Sequence, residues 1–99
     1  MAKDILDDFK IFESNVRLKI ISSLSISDLT YSQLKKICRC QRGNMYTHTQ
    51  KLLQEGYISE KKEFVNKKPQ TTYHLTDFGK KQFIDYVEAV QNLAIHLKK

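Results

Sequence analysis

Ninety-nine residues, 40% hydrophobic and 28% charged with a formal net charge of +6, fit one modest globular domain. One Pro and three Gly argue against a disordered or repeat scaffold, and two Cys are too few for a disulfide framework. The basic excess suits a polyanion: nucleic acid first, an acidic membrane surface second.

The charge is unevenly placed. The stretch 1–16 is slightly acidic, and the stretch 82–99 is balanced. The excess lies between Arg17 and Lys81, which places a binding face in the middle of the chain and another task at its ends. The start, MAKDILDDFK, does not read as a signal peptide, and no apolar run approaches a membrane span. A soluble, cytoplasmic protein is expected.

Ile5, Leu6, Phe9 and Phe12 have helical spacing and predict a short amphipathic helix over Asp4–Phe12. Ser14 can cap a second helix, whose apolar face is Val16, Leu18, Ile20, Ile21 and Leu24. Leu29 and Thr30 read as a brief extended piece. Thr30 and Gln33 have the spacing of a capping box, ahead of a helix from Tyr31 to about Cys38 with Leu34, Ile37 and Cys38 inward. A tight link then leads to RGNMYTHTQKLLQEGYI, a helix closed by Gly56. Two short helices so joined make a helix-turn-helix.

Beyond Gly56 the period becomes strand-like. Tyr57–Val65 and Thr71–Leu75 flank Asn66–Gln70, which is expected to be the tip of a hairpin. Thr76 caps the last helix, with Asp77 in its first turn. Along that helix Phe83, Val87, Val90, Ala94 and Leu97 form a heptad-type seam, widened by Tyr86 and Leu93. The seam either packs on its own core or forms a dimer interface with the first helix. Three other helices and a hairpin already supply a core, which favours the dimer.

On the helix after the turn, about 100° per residue gathers Met45, Thr49, Leu52 and Leu53 on one side. Thr47 lies nearly opposite, flanked by Asn44, Gln50, Lys51 and Gln54. A solvated helix face usually carries Glu/Lys pairs; amides, hydroxyls and a Lys are groups that contact base edges and phosphates. The helix alone does not decide between reading DNA and facing water. Lys67 and Lys68, on a hairpin beside a helix-turn-helix, tilt the balance towards DNA, because such a hairpin reaches the neighbouring backbone or minor groove.

The stretches VRLKIISSL, YSQLKKI, RGNMYTHTQKLLQEGYI and KKEFVNKKPQTTYHLTDFGKKQF together resemble the small winged-helix transcriptional regulators of archaea and bacteria, in the MarR/ArsR-like group. The resemblance runs from about Phe12 to Leu93. It implies a mainly α fold with a small β-hairpin: one winged-helix domain over 1–99, with the helix-turn-helix at 30–56, the wing at 57–75 and dimerisation helices at 1–13 and 82–99. It further implies a homodimer on a pseudo-palindromic double-stranded operator. Arg42, Asn44, Tyr46, Thr47, Gln50 and Lys51 would face DNA, with Lys67 and Lys68 as wing contacts. Ile5, Leu6, Phe9, Val87, Val90, Leu93, Ala94 and Leu97 would hold the dimer. Three positions depart from the family pattern. Arg39 stands where Gly is common, which predicts a distorted turn; Thr49 stands where an apolar residue is usual, which predicts weaker packing; Cys38 and Cys40 replace aliphatic residues.

Cys38-Arg39-Cys40 also admits a metal- or redox-sensor reading, since thiolates bind soft metals and nearby Arg residues favour them. Small core hydrophobes are the simpler account. No phosphate loop, nucleophile elbow or inward carboxylate pair suggests an enzyme, and no residue set points to a cofactor or small-molecule effector. The sequence therefore reads as a homodimeric, sequence-specific DNA-binding regulator. The alternative is a winged-helix module that docks on another protein.

Overall fold

The computed structural model describes residues 6–40 and 42–98, with Arg42 described in its backbone alone. Ile5 lies outside the described residues. The first regular element is a 3₁₀ segment, Asp7–Glu13, rather than the amphipathic α-helix expected, and Phe9 breaks it with φ −116° and ψ 37°. Beyond the break, Ile11 and Phe12 are both buried in the core.

Ser14 caps α1 (Asn15–Leu24), its Oγ accepting from the Arg17 amide at 3.2 Å. The Arg17 guanidinium reaches back and donates to the Ile11 carbonyl at 2.7 Å, which ties the 3₁₀ segment to α1. After β1 (Leu29–Thr30), the predicted capping box opens α2 (Tyr31–Cys38). The Gln33 amide donates to Thr30 Oγ1 at 3.2 Å, and the Thr30 amide donates to Gln33 Oε1 at 2.9 Å. Leu34 and Cys38 are buried on α2 as predicted, but Ile37 is 44% exposed. On so short a helix, Leu34 and Cys38 define a stripe too narrow to include it.

Helix α3 (Arg42–Gln54) ends in a Schellman motif. Gly56 takes φ +80°; its amide donates to the Leu53 carbonyl at 3.2 Å, and the Tyr57 amide donates to that of Leu52 at 2.9 Å. Strands β2 (Ile58–Val65) and β3 (Lys68–Leu75) then pair antiparallel from Ile58↔Leu75 to Val65↔Lys68. β1 joins the other side of β3 through Leu29↔Tyr73 and Thr30↔Thr72, so the sheet order is β1-β3-β2. The wing tip is shorter than the five residues expected. Only Asn66 and Lys67 form it, with φ +54° and +66°, the double left-handed geometry of a tight two-residue hairpin. Lys68, Pro69 and Gln70 already belong to β3. Pro69 is tolerated there because β1 does not extend that far, which leaves one side of β3 an open edge.

Helix α4 (Asp77–Lys98) follows, starting where the Thr76 cap was expected. The fold is thus mainly α with a three-stranded antiparallel sheet. No described helix is long and apolar enough to cross a membrane. Ile20, Ile21, Leu34, Met45 and Leu52 are fully buried, one or two from each of the first three α-helices. Each contributes about 1.5–3 kcal/mol by leaving water.

Thr76 joins the wing to α4. Its amide donates to the Tyr57 carbonyl at 3.1 Å, and its hydroxyl hydrogen is shared between the Gly56 carbonyl at 2.6 Å and that of Tyr57 at 3.0 Å. The same hydroxyl oxygen caps α4 by accepting from the Gly79 amide at 3.0 Å. Gly79 is buried, and a Cβ there would fall on the Tyr57 carbonyl and within 2.9 Å of Leu75 Cδ1. Because the obstacle is backbone, Gly79→Ala is expected to destabilise the domain by about 2–3 kcal/mol. A urea titration with an unchanged midpoint would show that the start of α4 can shift away from the turn.

Candidate nucleic-acid interface

Arg39 does not force the chain after α2 out of the conformation a Gly would take. It adopts the left-handed conformation directly, with φ +52° and ψ +34°, and its amide donates to the Lys35 carbonyl at 3.0 Å. The backbone therefore takes the course a Gly would give it, at a cost of about 1–2 kcal/mol for an L side chain. Thr49 does not loosen α3 either. It is 1% exposed, and its hydroxyl donates to the Tyr46 carbonyl at 3.0 Å. Burial pushes the Tyr73 phenol up, and the Thr49 side chain beside it partly offsets the rise.

With Met45, Thr49 and Leu52 facing the core, α3 turns Asn44, Tyr46, Thr47, Lys51 and Gln54 to solvent, and Gln50 is half-buried. These are the residues singled out from the sequence, apart from Arg42, whose side chain is not among those described. Thr47 Oγ1 donates to the Gly43 carbonyl at 3.0 Å, so the oxygen's outward capacity is as an acceptor, suited to the exocyclic amine of adenine or cytosine. Asn44 offers the paired donor and acceptor that match adenine. Lys51 pairs with Glu55 at 3.0 Å, but both are exposed and such pairs are worth only about 0.3–0.5 kcal/mol, so a phosphate can replace the carboxylate.

Between α3 and the wing runs an open groove, lined by Tyr46 and Gln50 on one side and by Glu60, Lys62 and Thr71 on the other. Lys62 and Thr71 were missed in the sequence. Their signal was the strand alternation, which puts Lys62 on the same side of β2 as the buried Ile58. Lys62 leans on Glu60 at 3.8 Å, and Lys61 on Glu63 at 3.8 Å. Lys67 occupies the turn and Lys68 the first position of β3, both exposed. Neither has an acidic partner among the described residues.

A family model described as a winged helix DNA-binding domain matches residues 16–94, a span that contains the helix-turn-helix and the wing. The chain belongs to that family. The winged-helix chain is also similar to an uncharacterised protein of Methanocaldococcus jannaschii, 28% identical over 90 residues, which are 90% of this chain and 98% of the relative. Among solved structures it resembles a transcriptional regulator homologue from Pyrococcus horikoshii, with a TM-score of 0.76, 23% identity, and 91% and 95% of the two chains covered. A MarR-family protein from Porphyromonas gingivalis gives a TM-score of 0.75 at 19% identity, covering 96% of each chain. The winged-helix resemblance is thus borne out in family, and the fold is shared with a MarR-family structure.

The terminal elements divide. Phe83 and Tyr86 pack on this chain's own core, where the rings of Phe12 and Tyr86 stack at 4.6 Å between centroids. Phe9, expected at a dimer interface, is engaged here too, edge-on to Tyr86 at 5.6 Å. Further along α4, Val87, Val90 and Leu93 are each more than a third exposed and Leu97 is 86% exposed. Ala94 is half-buried among them.

The cysteines are free thiols: Cys38 is buried, and Cys40 Sγ lies 3.5 Å from Met45 Sδ. Burial, then the neighbouring Cys40, pushes the Cys38 thiol up, opposite to an activated thiolate.

His48, on the α1 side of α3, has a buried Nδ1 without a hydrogen-bond partner among the described residues. Burial, then the nearby Arg17 charge, lowers its pKa below the ordinary 6.5. The unfolded chain therefore takes up this proton before the folded one does, and the contribution to stability is lost as pH falls below about 6.5. His48→Gln is expected to flatten the decline in stability between pH 7 and pH 5. Parallel urea curves for variant and wild type across that range would refute the assignment.

Proposed function

We propose that the chain is a homodimeric, sequence-specific double-stranded DNA-binding regulator, with α3 in a major groove and the wing on the flanking backbone. The observation that carries this reading is the polar outer face of α3 (Asn44, Thr47, Gln50, Lys51) set beside a wing whose tip carries Lys67 and Lys68 without acidic partners among the described residues. Arg42 and Tyr46 complete the helix contacts, and Lys67 and Lys68 supply the wing contacts. Two placements support it further. Arg39 and Lys67 both occupy left-handed positions that favour Gly or Asn, so positive charge stands in both turns at a conformational cost. A module for docking another protein would instead carry apolar side chains on the exposed face of α3, which has Tyr46 alone.

The exposed seam of α4 supports a second copy as the partner, with Val87, Val90, Leu93, Ala94 and Leu97 meeting their equivalents. Leu6 borders the same end, and Ile5, outside the described residues, was expected with it. A two-fold dimer would set the two α3 helices on half-sites about 34–36 Å apart, one turn of the duplex, and so call for a pseudo-palindromic operator. A cytoplasmic location accords with such a role.

A mobility-shift titration tests this on a duplex enriched by the protein from a random pool, against an unrelated duplex. Selective binding that falls roughly 10³–10⁵-fold between 50 and 200 mM salt is expected for 6–10 phosphate contacts. Lys67→Gly with Lys68→Ala should weaken binding to both duplexes alike, while Lys67→Gly alone raises folding stability by up to about 1 kcal/mol. Asn44→Ala or Thr47→Ala should instead erode the preference for the enriched duplex by about 1–3 kcal/mol. Equal weak binding to all duplexes would leave a non-specific binder. For the dimer, Val87→Asp with Leu93→Asp is expected to give a folded monomer in sedimentation; an unchanged dimer would move the interface away from α4.

A further inference from the structure

Phe64 is 79% exposed near the end of β2, directly across from Pro69, and takes no part in the core. An exposed aromatic ring leaves a large apolar area, with a π face suited to stacking, open to a partner. Its direction is set by the pleat. Ile58 and Glu60 stand opposite Leu75 and Tyr73, both buried, so this side of β2 looks towards the body of the domain and α3. Lys62 continues that side into the groove facing Tyr46 and Gln50, and Phe64 is the next residue on it. The ring therefore lies just past the groove, on the side of the wing that faces whatever α3 contacts.

Lys62 stands two residues before it on the same side of the wing and Lys67 sits in the turn, while Lys68, paired with Val65, projects on the opposite side. The chemistry is that of a phosphate clamp around an apolar tooth. The support is stiff as well: Asn66 and Lys67 make a two-residue turn, and every residue from Ile58 to Val65 is paired with β3. A ring so delivered cannot fold back onto its own domain without breaking strand register.

We propose that Phe64 is an apolar wedge for the DNA minor groove. With Lys67 on a phosphate, its ring enters the minor groove next to the major groove taken by α3 and partly unstacks one base step. Pyrimidine–purine steps unstack most easily, so the chain selects TA or CA at that place without a hydrogen bond to either base. This rests on the DNA-binding reading above and adds to it a bend and a step preference. Complementarity between the surrounding lysines and phosphate favours DNA over a second copy of this like-charged wing as the occupant.

The test uses the full chain and a 30-base-pair duplex enriched from a random pool, labelled at both ends so that energy transfer reports the bend. Phe64→Ala and Phe64→Leu are first checked for an unchanged urea midpoint. The wild type is expected to bend the duplex and to lose about five- to tenfold in affinity when the pyrimidine–purine step under the wing becomes AA. Phe64→Ala should bind without that bend and without the step preference, whereas Phe64→Leu, still a wedge, should keep both. If Phe64→Ala bends and discriminates like the wild type, the wedge is overturned. It is also overturned if the variant's main effect is a change in the free protein's association state, which assigns the ring to a protein contact. If the wild type enriches no duplex at all, the DNA-binding reading fails and takes the wedge with it; binding without bend or step preference removes the wedge alone.

Discussion

The cluster of hydrogen bonds around the Tyr57 carbonyl is the constraint on which the molecule's geometry depends. At this one point the end of α3, the start of β2, the end of β3 and the first turn of α4 meet. The Tyr57 amide closes α3, its carbonyl receives both the amide and the hydroxyl of Thr76, and the Thr76 oxygen caps α4 through Gly79. The absence of a Cβ at Gly79 lets the helix come against that carbonyl. A backbone contact of this kind admits no rotamer adjustment, so the start of α4 is held against the end of α3. For a two-fold regulator that relation matters most, because α4 would set the dimer and α3 would set the half-site, and their mutual angle becomes the half-site spacing.

Beyond this junction, two turns hold left-handed residues; Asn66 suits that conformation, whereas Arg39 and Lys67 are cations that do not. Arg39 in the helix-turn-helix and Lys67 in the wing hold the left-handed conformation that Gly would hold more cheaply. The fully buried Ile20, Ile21, Leu34, Met45 and Leu52 offset such costs several times over. Meanwhile Phe64 and the α4 seam leave apolar surface in water. Stability has thus been conceded in the wing, in the turn before α3 and along α4, the regions that would touch DNA or a second subunit. A core optimised for itself alone would show none of the three.

Much of this was legible locally. The capping box at Thr30 and Gln33, the cap at Ser14 and the stop at Gly56 each depend on residues three or four apart, and each was found where the sequence indicated. The outward set of α3 followed from its 3.6-residue period. The first element was misjudged because Ile5, Leu6, Phe9 and Phe12 fit a helical period; the rings of Phe9 and Phe12 instead turn towards Tyr86, seventy-odd residues away, and break the segment to do so. The five-residue tip was misjudged because Pro69 read as a loop residue. Only the short reach of β1, which leaves an open edge beside it, makes it a strand residue.

The sequence by itself determined the element order, the caps, the basic middle and the polar face of α3, because each of these is encoded in neighbours along the chain or in summed charge. Tertiary structure alone decided that Arg39 could serve where Gly is usual, that Thr49 could be buried, and which side of the wing faces α3. Those outcomes depend on strand register and on which helix packs over which carbonyl. Both arise from contacts between residues far apart in the chain, and no local period carries them.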